Sequence, residues 1–228
     1  MKAFNIFIST LIFFISSLAN ANEKIKFSLD WKFEGPSAIF LTSKERGYYK
    51  SSGLDVTIDS GKGSRDAIPK VASGTYPLGF ADINSVIKFL DQNPKAKVKA
   101  IMMVYDRPPF AIIGRKSLGV VKPKDLEGKI LGAPAPDGAY AQWKSFVKAN
   151  NINASKVKIE NVGFPVREPM LASGKVQAIT GFSFSSYINL ASKGVSEDDI
   201  SLMLMADYGL KLYGCLLYTS PSPRDLWI

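Results

Sequence analysis

The sequence predicts an α/β fold with two similar lobes. Segments with the two-residue period of a strand alternate with helical segments along most of the chain, as in parallel-rich α/β proteins. The chain has 228 residues, enough for two lobes of roughly 100 residues each. A short pattern also occurs twice, because Ala72-Ser73-Gly74 and Ala172-Ser173-Gly174 each close a helical segment ahead of a short strand. These observations favour two related units.

The first lobe is predicted to cover residues 22–113, where five strands alternate with helices. The strands are 24–31, 54–58, 78–81, 98–105 and 110–115. One helix opens at Gly35-Pro36 and is closed by Gly47, and another covers residues 84–92. Between them, a helix is expected to begin near Asp66, because Pro69 inside a longer helix would break a backbone hydrogen bond.

The second lobe is predicted to cover residues 114–202 and to repeat this alternation. Its strands are 130–133, 157–162, 176–182 and 200–205. Its helices are 138–150, 166–173 and 185–192, after a helical turn at 123–128. Residues 203–214 are expected to return the chain to the first lobe.

Residues 1–21 predict a cleavable secretory signal peptide. Lys2 is followed by an apolar run at residues 6–18, and Ala19-Asn20-Ala21 puts small residues where signal peptidase cuts, before Asn22. The apolar run is shorter than the roughly 20 residues that a membrane-spanning helix needs. We therefore expect an exported, periplasmic protein.

Residues 215–228 are predicted to be foreign to the protein. The string from Cys215 to Asp225 resembles the translation of a transposase adapter used to prepare sequencing libraries. On this interpretation the native sequence is read only to about Gly214, and the fold is C-terminally truncated, with part of the first lobe missing.

The composition argues against metal sites and most catalysis. Histidine is absent, and the single cysteine is Cys215. Zinc therefore lacks its usual ligands, and Ser-His-Asp and Cys-His mechanisms are excluded. We predict no metal, no cofactor and no catalytic residue. The formal net charge is +9, but the lysines are scattered, which is not typical of a nucleic-acid surface.

The candidate binding residues follow the predicted strands, because ligands of open α/β sheets bind at the carboxyl ends of strands. They combine aromatic rings with short polar side chains, the mixture that a small-molecule cleft needs. The candidates are Asp30, Trp31, Gly63, Ser64, Asp82, Asn84, Tyr105, Asp106, Asp137, Gly138, Tyr140, Phe182 and Ser183. Phe164 and Phe184 also follow strands. For any single member the alternatives are a helix N-cap for the aspartates and a core position for the aromatic residues.

Several short motifs occur in a characteristic order. They are Asp30-Trp31, the run 46–56 (RGYYKSSGLDV), Val71-Ala72-Ser73-Gly74, the run 124–129 (KDLEGK) and the run 171–176 (LASGKV). With them the chain resembles the alkanesulfonate-, nitrate- and thiamine-precursor-binding proteins, which have the type II periplasmic binding fold. It departs from the family pattern at Pro77 and Gln177, where an acidic residue often follows the Ser-Gly pair.

This resemblance implies two α/β lobes joined by two crossing strands, with the ligand in the cleft between them. It implies the substrate-binding component of an ABC importer, a monomer whose partners are a small-molecule ligand and the permease and ATPase subunits. The same family contains thiamine pyrimidine synthases. Those enzymes act inside the cell and rely on histidine, so the predicted signal peptide and the absence of histidine disfavour an enzyme here.

Two ligand classes remain open. Asp30, Asp82, Asp106 and Asp137 offer hydrogen-bond acceptors, and Trp31, Tyr105, Tyr140 and Phe182 offer flat faces for a ring. This mixture favours an aminopyrimidine-type thiamine precursor. The alternative is an anion such as a sulfonate, taurine or nitrate. Helix N-termini, Ser64 and Arg65 would hold it.

Overall fold

The computed structural model describes residues 22–220. The predicted signal peptide, residues 1–21, lies outside the described residues, as do residues 221–228. Among the helices of residues 22–220, none combines the length and the apolar composition needed to cross a membrane.

Strands and helices alternate along the described chain. The strands are β1 Glu23–Ser28, β2 Leu54–Asp59, β3 Leu78–Asp82, β4 Lys99–Met103, β5 Phe110–Arg115, β6 Ile130–Gly132, β7 Lys158–Glu160, β8 Ala178–Phe182, β9 Ile200–Leu204 and β10 Cys215–Thr219. The helices are α1 Ala38–Glu45, α2 Tyr48–Ser51, α3 Ser64–Ala72, α4 Ile83–Gln92, α5 Gly138–Ala141, α6 Trp143–Ala149, α7 Phe164–Ala172 and α8 Ser183–Ala191. Short 3-10 turns cover Gly35–Ser37, Lys116–Leu118, Pro123–Leu126, Ala154–Lys156 and Glu197–Asp199.

Two five-stranded sheets form the two lobes. The first has the order β2-β1-β3-β10-β4, in which β1 is parallel to β2 and β3, and β10 is antiparallel to β3 and β4. The second has the order β7-β6-β8-β5-β9, in which β6 is parallel to β7 and β8, and β5 is antiparallel to β8 and β9. The sheets share one plan, since β10 takes the place in the first that β5 takes in the second. The predicted pair of similar α/β lobes is confirmed.

The repeated Ser-Gly pattern marks equivalent helix ends in the two lobes. Gly74 after α3 and Gly174 after α7 have φ angles of +77° and +76°, which glycine adopts without steric cost. Their amides donate to Val71 O at 2.9 Å and to Leu171 O at 3.1 Å. Each of these helices also contains a proline, Pro69 or Pro169, at the same distance from its end.

The boundaries of two helices differ markedly from the prediction. Helix α3 begins at Ser64 rather than near Asp66, and Pro69 lies inside it. Ser64 is held at the helix start by hydrogen bonds of its hydroxyl to Asp30 and Asp82, so tertiary contacts outweigh the loss of one amide donor. The helix predicted at 138–150 is divided at Gln142, where the amide bonds to Ala139 O in a tighter turn.

The lobe boundary also lies earlier than predicted. Strand β5 belongs wholly to the second sheet, so the predicted boundary after residue 113 falls inside a strand. The first crossing therefore covers residues 104–109, and the return crossing covers residues 205–214.

Residues 215–219 form a central strand, whereas the sequence predicts that everything after Gly214 lies outside the fold. Their foreign origin stays a prediction, but the structure places them between β3 and β4. Leu216 and Tyr218 are fully buried there, and Cys215 Sγ lies 3.8 Å from Asp30 Oδ2. An apolar pentapeptide with an aromatic residue suits a strand position that is buried on both faces. Strand β5 occupies the equivalent position in the second sheet, so the strand order that the two sheets share includes a strand between β3 and β4.

We expect a chain ending at Gly214 to lose most of the stability of its first lobe. The truncation removes the strand that, within residues 22–220, joins β4 to the rest of its sheet. Losing a buried side chain such as Leu216 or Tyr218 costs about 2–5 kcal/mol, so the loss of both approaches the whole stability of a domain, about 5–15 kcal/mol. Chemical denaturation should show this loss. A chain ending at Ser220 is the control, and equal unfolding midpoints for the two chains would contradict the structural role of β10.

Candidate ligand-binding site

Asp30 and Ser64 form the centre of the site in the first lobe. Asp30 follows the carboxyl end of β1, and Ser64 is the first residue of α3. The Ser64 hydroxyl donates to Asp30 Oδ2 at 3.0 Å and accepts from the Asp82 amide at 3.1 Å. All three side chains are buried. One hydroxyl therefore connects the ends of two neighbouring strands.

Burial changes the acidity of the carboxyl groups at these strand ends. It raises the pKa of Asp30 to about 7, and the hydrogen bond from Ser64 opposes the shift only in part. Burial also raises the pKa of Asp82, against hydrogen bonds from Ser85 and Asn84. Asp30 is therefore partly protonated near neutral pH, so it can either donate or accept a hydrogen bond.

Asp137 plays a similar part in the second lobe. It caps the N-terminus of α5 by accepting from the Ala139 amide at 3.2 Å, and it accepts from Thr180 Oγ1 at 2.7 Å. Burial raises its pKa, while the guanidinium of Arg167, with Nη1 4.0 Å from Asp137 Oδ2, acts in the opposite direction.

Arg167, on α7, is buried, and its Nη2 is hydrogen-bonded. Its Nη2 donates to Glu168 Oε1 at 2.6 Å and to Ser186 Oγ at 3.1 Å. Its guanidinium carbon lies 5.6 Å from the ring centre of Trp31 and 5.4 Å from that of Phe164, within the range of a cation–π contact. Because Trp31 belongs to the first lobe, this buried cation connects the two lobes.

Further contacts hold the lobes together across the cleft. The rings of Trp31 and Phe164 meet edge to face with centres 4.4 Å apart. Glu34 Oε2 accepts from Ser185 Oγ at 2.5 Å and from Trp31 Nε1 at 3.2 Å. Gly63 has a φ of +107°, and a β-carbon there would lie 2.5 Å from Pro136 O. Glycine is needed at this position because the second lobe approaches it so closely.

A narrow cavity of about 20 Å³ lies between the lobes. Its walls are Asp30, Trp31, Gly63, Ser64, Asp137, Gly138, Phe164, Arg167, Phe182 and Ser185. Seven of these were candidates from the sequence: Asp30, Trp31, Gly63, Ser64, Asp137, Gly138 and Phe182. Phe164 also follows a predicted strand. Strand ends of both lobes thus line one space.

The other candidates lie elsewhere. Tyr105 lines a second cavity of about 30 Å³, and burial raises its pKa to about 12. Asp106 is exposed at the first crossing, where it lines a wide depression with Arg107 and Tyr213.

The remaining candidates have structural contacts. Asp82 is the N-cap of α4, the alternative role given above for the aspartates. Asn84 donates to Asp82 Oδ1 at 2.9 Å and to Tyr213 O at 3.1 Å. Tyr140 packs against the core of the second lobe. The Ser183 amide donates to Pro109 O at 2.8 Å.

Sequence reasoning missed Glu34, Arg167 and Ser185. One signal was available for Arg167, which with Glu168 forms a pair of opposite charges inside the otherwise apolar helix α7. Such a pair inside an apolar segment indicates a buried ion pair. Within residues 22–220, no group of three His, Cys, Asp or Glu side chains is arranged to hold a metal ion.

Solved structures share this architecture. The alkanesulfonate-binding protein SsuA from Xanthomonas axonopodis pv. citri, bound to MOPS, matches with a TM-score of 0.66 and 15% identity over 86% of this chain and 65% of that chain. A substrate-binding protein of an ABC uptake transporter from Streptococcus pneumoniae, with bound histidine, matches with a TM-score of 0.63 and 18% identity over 92% of this chain and 84% of that one. The fold is therefore that of the type II periplasmic binding proteins.

The sequence matches the family described as NMT1/THI5 like over residues 36–223. The chain belongs to that family.

Two curated relatives are named as binding proteins. The formylaminopyrimidine-binding protein of Halalkalibacterium halodurans is 27% identical over 230 residues, which cover 96% of this chain and 68% of the relative. The riboflavin-binding protein RibY of Chloroflexus aurantiacus is 23% identical over 172 residues, which cover 75% of this chain and 48% of the relative. The chain thus spans about half the length of one relative and two thirds of the other.

We expect the raised pKa of Asp30 to make stability fall as the pH rises. Between pH 4 and pH 7 the folded protein keeps a proton on Asp30 that the unfolded chain loses, so the free energy of unfolding decreases across this window. The shift from 3.8 to about 7 corresponds to a decrease of roughly 4 kcal/mol. The Asp30→Asn variant lacks this pH-dependent contribution, so its free energy of unfolding should depend less steeply on pH than that of the wild type.

Urea denaturation of both proteins at several pH values measures this difference. Asp137 contributes to both proteins alike. Asp82 is close enough to raise the pKa of Asp30, so losing the Asp30 carboxylate also lowers the pKa of Asp82 and flattens the profile of the variant in the same direction. Asp55→Asn, at an exposed position of β2, is the control for losing a carboxylate. Parallel pH profiles for the wild type and Asp30→Asn would contradict the prediction.

Proposed function

We propose that this chain is the solute-binding component of an ABC importer, exported to the periplasm, which closes its lobes on a small nitrogen heterocycle. The observation that carries the proposal is one interlobe cavity with a buried carboxyl group from each lobe, Asp30 and Asp137. The protein delivers its ligand, as a monomer, to permease and ATPase subunits and catalyses no reaction.

The acceptors in the cavity favour a ligand that bears amino groups. Asp30 and Asp137 are both buried, so a ligand donor facing either group interacts in a medium where hydrogen bonds to charged groups are strong. An aminopyrimidine offers ring nitrogens that accept and amino groups that donate. The name of the Halalkalibacterium halodurans relative supports this class of ligand.

The aromatic walls favour a flat ligand. Trp31, Phe164 and Phe182 come from three different segments and line the same cavity. Aromatic side chains contribute large apolar areas and prefer stacked or edge-to-face contacts with other rings. In this arrangement of the lobes the cavity has a volume of about 20 Å³, which is room for about one water molecule. A heterocyclic ring therefore enters only when the lobes move apart.

A sulfonate or another anion is less well supported. The ionised forms of Asp30 and Asp137 would repel it. The guanidinium of Arg167 already donates to Glu168 and Ser186. Arg65, which was considered as an anion ligand, is exposed and donates to Ala135 O at 2.9 Å instead.

Binding and release require the lobes to separate. The contacts that join them include the Glu34–Ser185 hydrogen bond, the Trp31–Phe164 pair, the cation–π contact of Arg167 with Trp31 and the hydrogen bond from Arg65 to Ala135 O. The crossings at residues 104–109 and 205–214 are the segments in which backbone rotation would open the cleft, as in hinged binding proteins.

We expect formylaminopyrimidine to raise the thermal stability of the protein and MOPS to leave it unchanged. A ligand present at a hundred times its Kd stabilises the folded state by about 2.7 kcal/mol, which gives a measurable shift of the unfolding temperature. Scanning fluorimetry with both compounds tests this ranking directly.

The control compares two aspartates that both accept backbone amides. Asp137→Asn, in the cavity, should reduce the shift produced by formylaminopyrimidine. Asp125→Asn, whose carboxylate binds the amides of Val121 and Lys122 away from the cavity, should keep it. A shift with MOPS and none with the pyrimidine would overturn the proposed ligand class.

A further inference from the structure

One nitrogen of the buried Arg167 side chain has no hydrogen-bond partner in the part of the chain that the structure describes. Arg167 is 2% exposed. Its Nε donates to Glu168 Oε1 at 3.0 Å, and its Nη2 donates to the same oxygen and to Ser186 Oγ. Its Nη1 lies 4.0 Å from Asp137 Oδ2, which is beyond hydrogen-bonding distance. The guanidinium therefore keeps one donor atom free.

The free nitrogen reaches the interlobe cavity. Within residues 22–220, the Tyr218 hydroxyl is the only side-chain polar atom that is both shielded from solvent and unpaired. Nη1 of Arg167 is unpaired as well, so it is not fully shielded, and Arg167 lines the interlobe cavity. A charged donor at a buried site is costly to leave without an acceptor. Nη1 therefore marks a position where an acceptor atom of the ligand binds favourably.

The position of Arg167 is set by the second lobe. Its hydrogen-bond partners lie on α7 and α8, and Asp137 belongs to the same lobe. From the first lobe, the ring of Trp31 covers the guanidinium carbon at 5.6 Å. When the lobes separate, Trp31 moves away, and Arg167 and Asp137 stay together on one wall of the opened cleft. The pair is thus preorganised for a ligand.

Arg167 and Asp137 place a donor beside an acceptor. The guanidinium can only donate, and an ionised carboxylate can only accept. Asp137 Oδ2 already accepts from Thr180 Oγ1 at 2.7 Å, but a carboxylate oxygen has two lone pairs and can accept a further hydrogen bond. Because Nη1 and Oδ2 are 4.0 Å apart, one flat edge that carries an N–H group next to an acceptor nitrogen can bind both. A ring amino group beside a ring nitrogen has this pattern.

The charges around Arg167 favour a neutral acceptor. Glu168 pairs with the guanidinium at 2.6 Å, so the positive charge is already compensated. An anionic oxygen bound to Nη1 would lie close to the Asp137 carboxylate, and the two negative charges would repel each other. A ring nitrogen carries no charge and binds without this cost.

We infer that Arg167 determines the specificity of the site by recognising one edge of the ligand: its Nη1 donates to a ring nitrogen, while Asp137 accepts from the amino group on the neighbouring ring carbon. The inference rests on the proposed function and narrows its ligand class. The ligand is then a heterocycle in which an amino group and a ring nitrogen are adjacent.

Titration calorimetry with two probes tests the inference. The first probe is formylaminopyrimidine, and the second is its analogue in which a C–H group replaces the ring nitrogen beside the ring amino group. The two probes have nearly the same size and shape and differ in the acceptor for Nη1. We expect the wild-type protein to bind formylaminopyrimidine at least about tenfold more tightly, because the analogue leaves Nη1 unpaired.

Substitution of Arg167 should remove this preference. Arg167→Lys keeps a cation near Glu168 but has no group at the position of Nη1. It should lower the affinity for formylaminopyrimidine at least about tenfold and change that for the analogue less than about twofold. Arg115→Lys is the matched control, because Arg115 is also an arginine of the second lobe that pairs with a carboxylate, Asp199, but it does not line the cavity. This control should keep the preference.

A second variant separates ligand recognition from support of the fold. Glu168→Gln weakens the ion pair of Arg167 but leaves Nη1 in place, so the preference for formylaminopyrimidine should remain. Thermal unfolding of each variant shows whether it folds. If Arg167→Lys does not fold, the wild type and Glu168→Gln decide: a preference in both supports the inference, and its absence overturns it.

The outcomes separate this inference from the proposed function. If the wild-type protein binds both probes equally well, the inference is overturned and the proposed function stands. Equal losses for both probes in Arg167→Lys, which a merely structural role of Arg167 predicts, would also overturn the inference. If neither probe binds the wild-type protein, the proposed function fails and the inference fails with it.

Discussion

Three carboxyl groups are buried where the two lobes meet, and the surrounding elements are arranged by the donors that these groups need. An unpaired carboxylate in a protein interior is so costly that it either finds partners or takes up a proton. Asp82 and Asp137 find theirs at the first turns of α4 and α5. Asp30 has the Ser64 hydroxyl and shifts its pKa instead. Asp30, the carboxyl group with the weakest hydrogen-bonding support, therefore faces the cavity. A ligand there can donate the hydrogen bonds that the fold does not provide.

The common plan of the two sheets explains how these groups come together. In each lobe three parallel strands end at the cleft, and a strand that arrives from the other lobe completes the sheet. Strand β10 does this for the first lobe and brings Cys215 against Asp30, so the burial of Asp30 depends in part on that strand. The raised pKa of Asp30 therefore depends in part on the presence of β10 in the first sheet.

The sequence predicted those features that depend on local pattern. Asp30, Trp31 and Asp137 follow strands, as predicted, and they line the interlobe cavity. The Ser-Gly pairs correctly indicated two related lobes. Features that depend on tertiary contacts were missed. Nothing local to Arg167 shows that Trp31 will cover it, and Pro69 indicated a later helix start because the hydroxyl contacts of Ser64 are long-range. Asp106 follows a predicted strand, but the chain leaves the sheet there to cross between the lobes.

The central claim is that a ligand donor binds the partly protonated carboxyl group of Asp30. Near pH 7 this group is about half protonated, since its pKa is about 7. A donor that binds the carboxylate lowers that pKa and releases the proton. Calorimetric titration with formylaminopyrimidine at pH 7, in two buffers of different ionisation enthalpy, counts the protons. We expect up to about half a proton released per ligand bound, and a clearly smaller release with Asp30→Asn. A binding enthalpy independent of the buffer, or an equal release from the variant, would contradict the account.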